Sequence, residues 1–208
     1  IAIVGGGLMG AGIASAALTA GLSVTLIERD ADAAGAARER VSGLLDGAVE
    51  RGKMDGAARD TALARFEAVD DDALAAGADL AIEAVFEDAA VKREVFAKLS
   101  EAMGEEAILA TNTSYLDPRD IFRDIPRPDR CLGLHFFSPA NIMKLLEVVR
   151  TPDTGAEVLA TGFALARRLG KMPVLSGICD GFIGNRILSA YRRAADYLLA
   201  DGALPHEV

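Results

Sequence analysis

Short apolar runs alternate with longer amphipathic stretches along most of this chain. Ile1–Val4 is an apolar run stopped by glycine, the pattern of a buried parallel strand. Leu8–Ala20 is small and apolar without β-branched runs, and reads as a helix that Gly21 stops. Ser23–Glu28 is a second strand, and Ala31–Arg51 a long helix with Leu44, Leu45, Ala48 and Val49 in its apolar stripe. Asp55 caps a further predicted helix running to about Arg65. Strands are predicted at Phe66–Val69, Ala78–Val85, Ala107–Thr111, Arg130–Phe136, Leu145–Val149 and Pro173–Leu175. Between them lie a helix at Asp88–Met103, with Val91, Val95, Phe96 and Leu99 on one face, a loop at Asn112–Asp117, and a helix at Thr154–Leu169. A last helix, Ile183–Leu199, is entered through a glycine-rich bend at Gly181 and Gly184.

Alternating strands and helices imply an α/β fold: a mostly parallel, doubly wound sheet with helices on both faces. The chain past Ile178 reads differently, as a linker and one helix bearing Arg192 and Arg193. Residues 1–178 are therefore expected to form one domain, and 179–208 to begin a helical domain that continues beyond this sequence. The abrupt IAIVGGG start likewise suggests a few natural residues upstream.

With 208 residues, 51% of them hydrophobic, the chain buries one sizeable core. A formal net charge of −9 argues against nucleic acid and against an anionic membrane surface as partners. It leaves room for an anionic cofactor held by backbone amides at a helix start. Cys131 and Cys179 are far apart and have no metal-ligand spacing, so they are read as reduced, buried thiols, and the location as cytoplasmic. No apolar run is long enough to span a membrane, and no basic leader precedes the first strand.

Gly5, Gly7 and Gly10 form G-x-G-x-x-G between a predicted strand and a helix, the context that gives this pattern meaning. The first glycine permits the tight turn, the second lets a pyrophosphate approach, and the third allows close packing. Leu8 and Met9 open the helix whose free amides would face the phosphates. Glu28 ends the second strand, where a carboxylate accepts ribose hydroxyls and repels a 2′-phosphate. The expected cofactor is NAD on a Rossmann-type sheet, with Arg29 weakening the exclusion of NADP.

Four further residues carry candidate chemistry. His135 ends a strand, on the side where such sheets bind ligands, and an imidazole is suited to general-base work. A satisfied core histidine is the plainer explanation. Glu147 sits in an otherwise apolar strand and needs a partner there, unless that strand is an edge facing water. Bonded to His135, it would orient the ring. Asn112 and Ser114 lie in a loop after a strand, where they would touch ligand or merely shape a turn. Asn185 opens the last helix, as a site residue or as its cap.

The segments GGGLMGAGIA, IEAVFEDAAVK, ATNTSYL, GLHFFSPANIMKLLEVV and DGFIGNRIL occur in that order. In them the chain resembles the 3-hydroxyacyl-CoA dehydrogenases over essentially its whole length. The resemblance implies that His135 is the general base, Glu147 its partner, and Ser114 and Asn185 contacts of the substrate oxygen. It implies that Glu87 and Lys92 line the nicotinamide and ribose side of the site. Ser138 stands where many single-activity members have Asn, a shorter polar contact to the cofactor. With the PANIMKLLEVVR and NRILSAYRRAADYLLADGALPHEV segments, this is closer to the dehydrogenase part of multifunctional β-oxidation enzymes. Where the family sets a serine and a basic residue against CoA, this chain has Leu44 and Arg51, of which only Arg51 suits a phosphate.

The resemblance further implies an acyl-CoA substrate, a helical domain after residue 208 that carries a homodimer contact, and weak activity without it. Two other readings compete. A β-hydroxyacid dehydrogenase would place a lysine at its centre, and the GLHFFSP histidine points away from that. A non-catalytic NAD-binding module would have no use for His135, Glu147, Ser114 and Asn185 together.

Overall fold

The computed structural model describes residues 1–208. Eight strands form one sheet: β1 (Ala2–Val4), β2 (Val24–Ile27), β3 (Phe66–Val69), β4 (Leu80–Glu83), β5 (Ile108–Thr111), β6 (Cys131–Phe136), β7 (Leu145–Val149) and β8 (Met172–Ser176). Their order is β3-β2-β1-β4-β5-β6-β7-β8. The pairings from β3 through β6 are parallel, β6 and β7 are antiparallel, and β8 runs parallel to β7. The order reverses between β1 and β4, and crevices at such switch points, outside the strand carboxyl ends, are where open α/β sheets bind ligands.

Six helices pack against the sheet or one another, α1 (Leu8–Thr19), α2 (Ala31–Glu50), α3 (Gly56–Leu63), α4 (Ala89–Ala102), α5 (Pro118–Phe122) and α6 (Ala156–Arg168), and a seventh, α7 (Gly184–Ala200), follows the last strand and buries none of its residues. Alternate residues of each strand enter opposite layers, because side chains alternate across a pleated sheet. Ile3, Leu26 and Ile82 join the larger core beneath α1, α2 and α6, whereas Ala2, Val4 and Ala81 join the smaller one beneath α4 and α5. None of the helices is long and apolar enough to cross a membrane.

The expected elements form, with differences at their ends and on two helix faces. The short α5 lies just past the predicted loop, with Pro118 in its first turn and the Asp117 carboxylate accepting from the Arg119 amide at 2.9 Å. On α2 the core-facing stripe is Ala34, Ala37, Val41 and Leu45. Leu44, Ala48 and Val49 are only half-buried, because they lie to one side of that stripe. On α4 the buried residues are Lys92, Phe96 and Leu99, and Val91 is exposed. A lysine takes the inward position because a carboxylate waits for it beneath the helix.

α1 is enclosed along most of its length, from Gly10 to Leu18. Its small residues let neighbouring backbone approach: a Cβ on Gly12 would come within 3.1 Å of the Ala140 side chain. That approach brings the loop after β6 against α1. Lys171, almost fully buried, ties down the same loop by donating to the carbonyls of Ala140 and Met143.

Candidate active site

The turn from β1 into α1 is built for a phosphate. Gly5 has φ +92°, a left-handed conformation that a side chain would strain. A Cβ on Gly10 would sit 1.7 Å from the Gly5 carbonyl oxygen, so only glycine closes the turn. Gly7, which precedes the helix, has nothing within 4 Å of its would-be Cβ and no side chain capping the amides behind it. The exposed Leu8 and half-buried Met9 begin the helix. Free amides, no acidic residue in the first turn and an open approach together suit an anion.

Glu28 follows β2, and its Oε1 accepts from the Gly6 amide at 2.6 Å. The carboxylate is thereby aimed along the crevice. A cavity of about 380 Å³ opens there, lined by Gly5, Glu28, Val85, Phe86 and Lys98 among others. Arg29 also lines this cavity and pairs with Asp30 at 3.0 Å. Open glycine backbone, helix amides, a carboxylate at the second strand and an adjoining cavity fit an adenine dinucleotide.

A second polar assembly occupies the carboxyl ends of β4 and β5. Glu83, wholly buried, accepts from Lys92 Nζ at 2.6 Å, from Thr111 Oγ1 at 2.7 Å and from the Val85 amide at 2.8 Å. Lys92, only 1% exposed, also reaches Glu87 Oε2 at 3.1 Å. Glu87 Oε1 in turn accepts from Thr113 Oγ1 at 2.6 Å and from the Ser114 and Tyr115 amides at 2.8 and 3.2 Å. Burial pushes the Glu83 carboxyl above its usual range, with the Lys92 charge opposing. At Glu87 burial also pushes upward, but the Thr113 hydroxyl, Lys92 and the Ser114 amide outweigh it and hold the carboxyl low. Lys92 thus stands behind Glu87, and Glu87 is the exposed end of the assembly and the clamp of the Ser114 loop.

His135 and Glu147 are register partners across β6 and β7, which places both side chains on one face of the sheet. His135 Nδ1 and Glu147 Oε2 are 2.6 Å apart, with the residues 3% and 0% exposed. Because β8 covers the other side, β7 is an interior strand, not an edge facing water. Glu147 Oε1 also accepts from the Ile183 and Gly184 amides at 3.0 and 2.8 Å. It therefore caps α7 from another strand, and Asn185 is not the cap of that helix. A carboxylate that only accepts holds the imidazole proton on Nδ1 and leaves Nε2 as the free basic atom. Phe137 and Phe182 pack against the ring, with centroids 4.5 and 5.6 Å from it.

The remaining candidates lie around this pair. Asn112 is buried and its Oδ1 accepts from the Phe136 amide at 2.9 Å, so it tethers the Ser114 loop to the residue after His135. Ser114 is half-buried in that loop, and Asn185 half-buried in the first turn of α7. Tyr115 faces Asp180 and Arg186 across a cavity of about 480 Å³ between the two segments. Ser138 is exposed on the loop after β6. Arg51 lies farther off, where it lines a cavity of about 400 Å³ with Leu44, Lys53, Asn141 and Arg168.

Sequence reasoning missed Glu83, Thr111, Thr113, Phe137 and Phe182. For Glu83 the signal was present: a carboxylate in an apolar strand, the same signal that singled out Glu147.

A switch-point crevice with a glycine turn after β1, and a buried His–Glu pair on β6 and β7, define a dinucleotide-dependent dehydrogenase domain. Comparison with known proteins makes the assignment specific. Residues 1–179 match the family described as 3-hydroxyacyl-CoA dehydrogenase, NAD binding domain. The chain belongs to that family, and its cofactor is NAD.

Among the relatives is the peroxisomal bifunctional enzyme of Danio rerio, 39% identical over all of this chain and 28% of its own length. The fatty acid oxidation complex subunit alpha of Psychrobacter arcticus is 37% identical over 97% of this chain and likewise 28% of its own length. The crystal structure of (S)-3-hydroxybutyryl-CoA dehydrogenase PaaH1 from Ralstonia eutropha superimposes with a TM-score of 0.96 at 33% identity. It is matched over 100% of this chain and 74% of its own. The chain thus spans little more than a quarter of these curated relatives.

Proposed function

We propose that the protein oxidises the 3-hydroxyl of an (S)-3-hydroxyacyl-CoA to the 3-ketoacyl-CoA, in fatty acid β-oxidation or a related acyl-CoA pathway. The observation that carries this reading is the buried His135–Glu147 pair with Nε2 left free. When bound, NAD supplies the nicotinamide that accepts hydride from carbon 3. His135 Nε2 removes the hydroxyl proton as hydride departs. Glu147 offsets the imidazolium charge that results, and its bonds to α7 keep it from following the proton. Ser114 and Asn185 would hold the substrate oxygen, Glu87 would bind the nicotinamide ribose with Lys92 fixing the carboxylate from behind, and Ser138 would give a further polar contact.

CoA lies toward the cavity at Arg51, where Lys53 and Arg168 add cationic partners for its phosphates and Leu44 meets an apolar part. Helix α7 begins a helical domain, with the boundary near residue 178. Ile187, Leu188, Tyr191 and Leu198 are exposed on α7 and would pack into that domain, which closes over the acyl-CoA and carries the homodimer contact.

The reading is tested by following NADH absorbance in the longest natural form of the protein, with acetoacetyl-CoA or free acetoacetate as oxidant. Oxidation with the thioester at least about 100-fold more efficient than with the acid is expected, since remote CoA contacts contribute binding energy to the reacting centre. Equal rates, or turnover of the free acid alone, would overturn the CoA assignment. A folded protein that binds NADH and turns over neither would leave a binding module.

A further inference from the structure

Phe182 is the one residue other than glycine with a positive φ, 47°. The left-handed region is costly for a residue carrying a Cβ, and persists only where the surroundings over-determine it. Such residues gather at functional sites. The bend itself does not require a phenyl ring, because glycine adopts the same dihedral freely, as the preceding Gly181 does at φ +66°.

The ring explains the choice. Phe182 is 2% exposed, and its ring centroid lies 5.6 Å from that of His135, tilted by 51°. Phe137 packs on the same imidazole at 4.5 Å. The bend also serves the carboxylate, because the two amides after Phe182, of Ile183 and Gly184, donate to Glu147. A Cβ on Gly184 would come within 2.7 Å of the Phe137 ring, so the start of α7 lies tightly over the other aromatic as well. One strained residue thus aims a ring at the base and delivers two amides to its partner.

We propose that Phe182 is a positioning residue for the His135–Glu147 pair: its ring, held by the left-handed bend, fixes the imidazole plane and keeps water from the Nδ1–H···Oε2 hydrogen bond. The proposal rests on His135 being the general base. A dry bond between buried partners is electrostatically stronger than a wet one. A ring held on its flank cannot swing Nε2 away from the hydroxyl.

Phe182→Gly and Phe182→Ala separate the ring from the strain. Both lack the phenyl group, but only glycine fits the backbone without cost. In the longest natural form of the protein, both variants are expected to lose a similar ~10–100-fold in kcat, the scale of a small misplacement of reacting groups. KM for NADH should stay near that of the parent, and the Gly variant should melt higher than the Ala variant. Phe182→Leu, which keeps most of the volume, should recover part of the rate. The downfield proton NMR signal of His135 Nδ1–H should be present in the parent and lost to water exchange in folded Phe182→Gly. Activity that follows melting temperature, with Gly well above Ala, or a Gly variant that keeps both the signal and the parent rate, would overturn the proposal. A His135→Ala control with undiminished activity would instead overturn the catalytic reading beneath it.

Discussion

Replacing Glu147 by glutamine changes one atom and tests the tautomer argument. Glu147 Oε1 accepts two backbone amides at 3.0 and 2.8 Å, and Oε2 faces His135 Nδ1 at 2.6 Å. A glutamine has one carbonyl oxygen to place. Turned toward α7, it keeps two hydrogen bonds and sets its NH2 against Nδ1. Turned toward His135, it sets NH2 against two N–H donors and loses both bonds. The first arrangement wins, and it forces Nδ1 to accept, so the ring proton moves to Nε2, the atom proposed as the base.

The expected loss in kcat is about 10³–10⁴-fold, the scale set by a carboxylate-to-amide change beside a catalytic histidine. That corresponds to about 4–5.5 kcal/mol of transition-state stabilisation. Stability should fall far less. The shape is kept and the helix loses only a negative charge at its amino end, a contribution of about 0.3–2 kcal/mol. Steady-state NADH absorbance with acetoacetyl-CoA, alongside thermal melting, measures both. A folded glutamine variant within about threefold of the parent rate would show that the Nδ1 proton does not depend on the carboxylate, since that is under 1 kcal/mol of transition-state energy.

Other outcomes follow from the same geometry. Gly10→Ala sets a methyl group 1.7 Å from the Gly5 carbonyl, so fluorescence titration should find NADH binding lost in any folded protein obtained; unchanged affinity would contradict the turn's role. Burial pushes the Cys131 thiol up to about 12, so Ellman's reagent at pH 8 should modify only Cys179 in the native protein, and both thiols after denaturation. Glu87 is held below its ordinary value of 4.5, so it contributes stability above that pH and loses it as pH falls through the depressed value. Glu87→Gln should therefore destabilise at pH 7 and converge with the parent in acid. Urea titrations at pH 7 and pH 3 check this, and a constant gap would contradict it.

The parallel part of the sheet was legible because buried strands read as apolar runs bounded by glycine. The cofactor turn was legible because its constraint is local: Gly5 and Gly10 meet each other within one turn. The importance of Glu147 could be argued from its apolar neighbours, and the family resemblance named His135 as its partner; the strand register that joins them across β6 and β7 is a tertiary fact that spacing alone does not show. Helix faces were the weaker readings. Periodicity puts Val91 on the inner face of α4, and the resemblance puts Lys92 at the edge of the cofactor site, yet Val91 is exposed and Lys92 is buried under the helix. This holds because Glu83, nine residues away, makes burial of that ammonium affordable. Phe182 carried no signal, since a non-glycine residue announces no left-handed bend and its stabilising contact lies 47 residues back in the chain.

In the proposed mechanism His135 takes the hydroxyl proton as hydride leaves carbon 3. Comparing acetoacetyl-CoA-dependent NADH oxidation by the longest natural form with that of its His135→Ala variant tests it most directly. NADH affinity measured in parallel shows that the cofactor site is intact. Unchanged NADH affinity and a rate lower by at least about 10²-fold, the usual scale of general-base catalysis, are expected. A variant that binds NADH and turns over at the parent rate would contradict that role for His135.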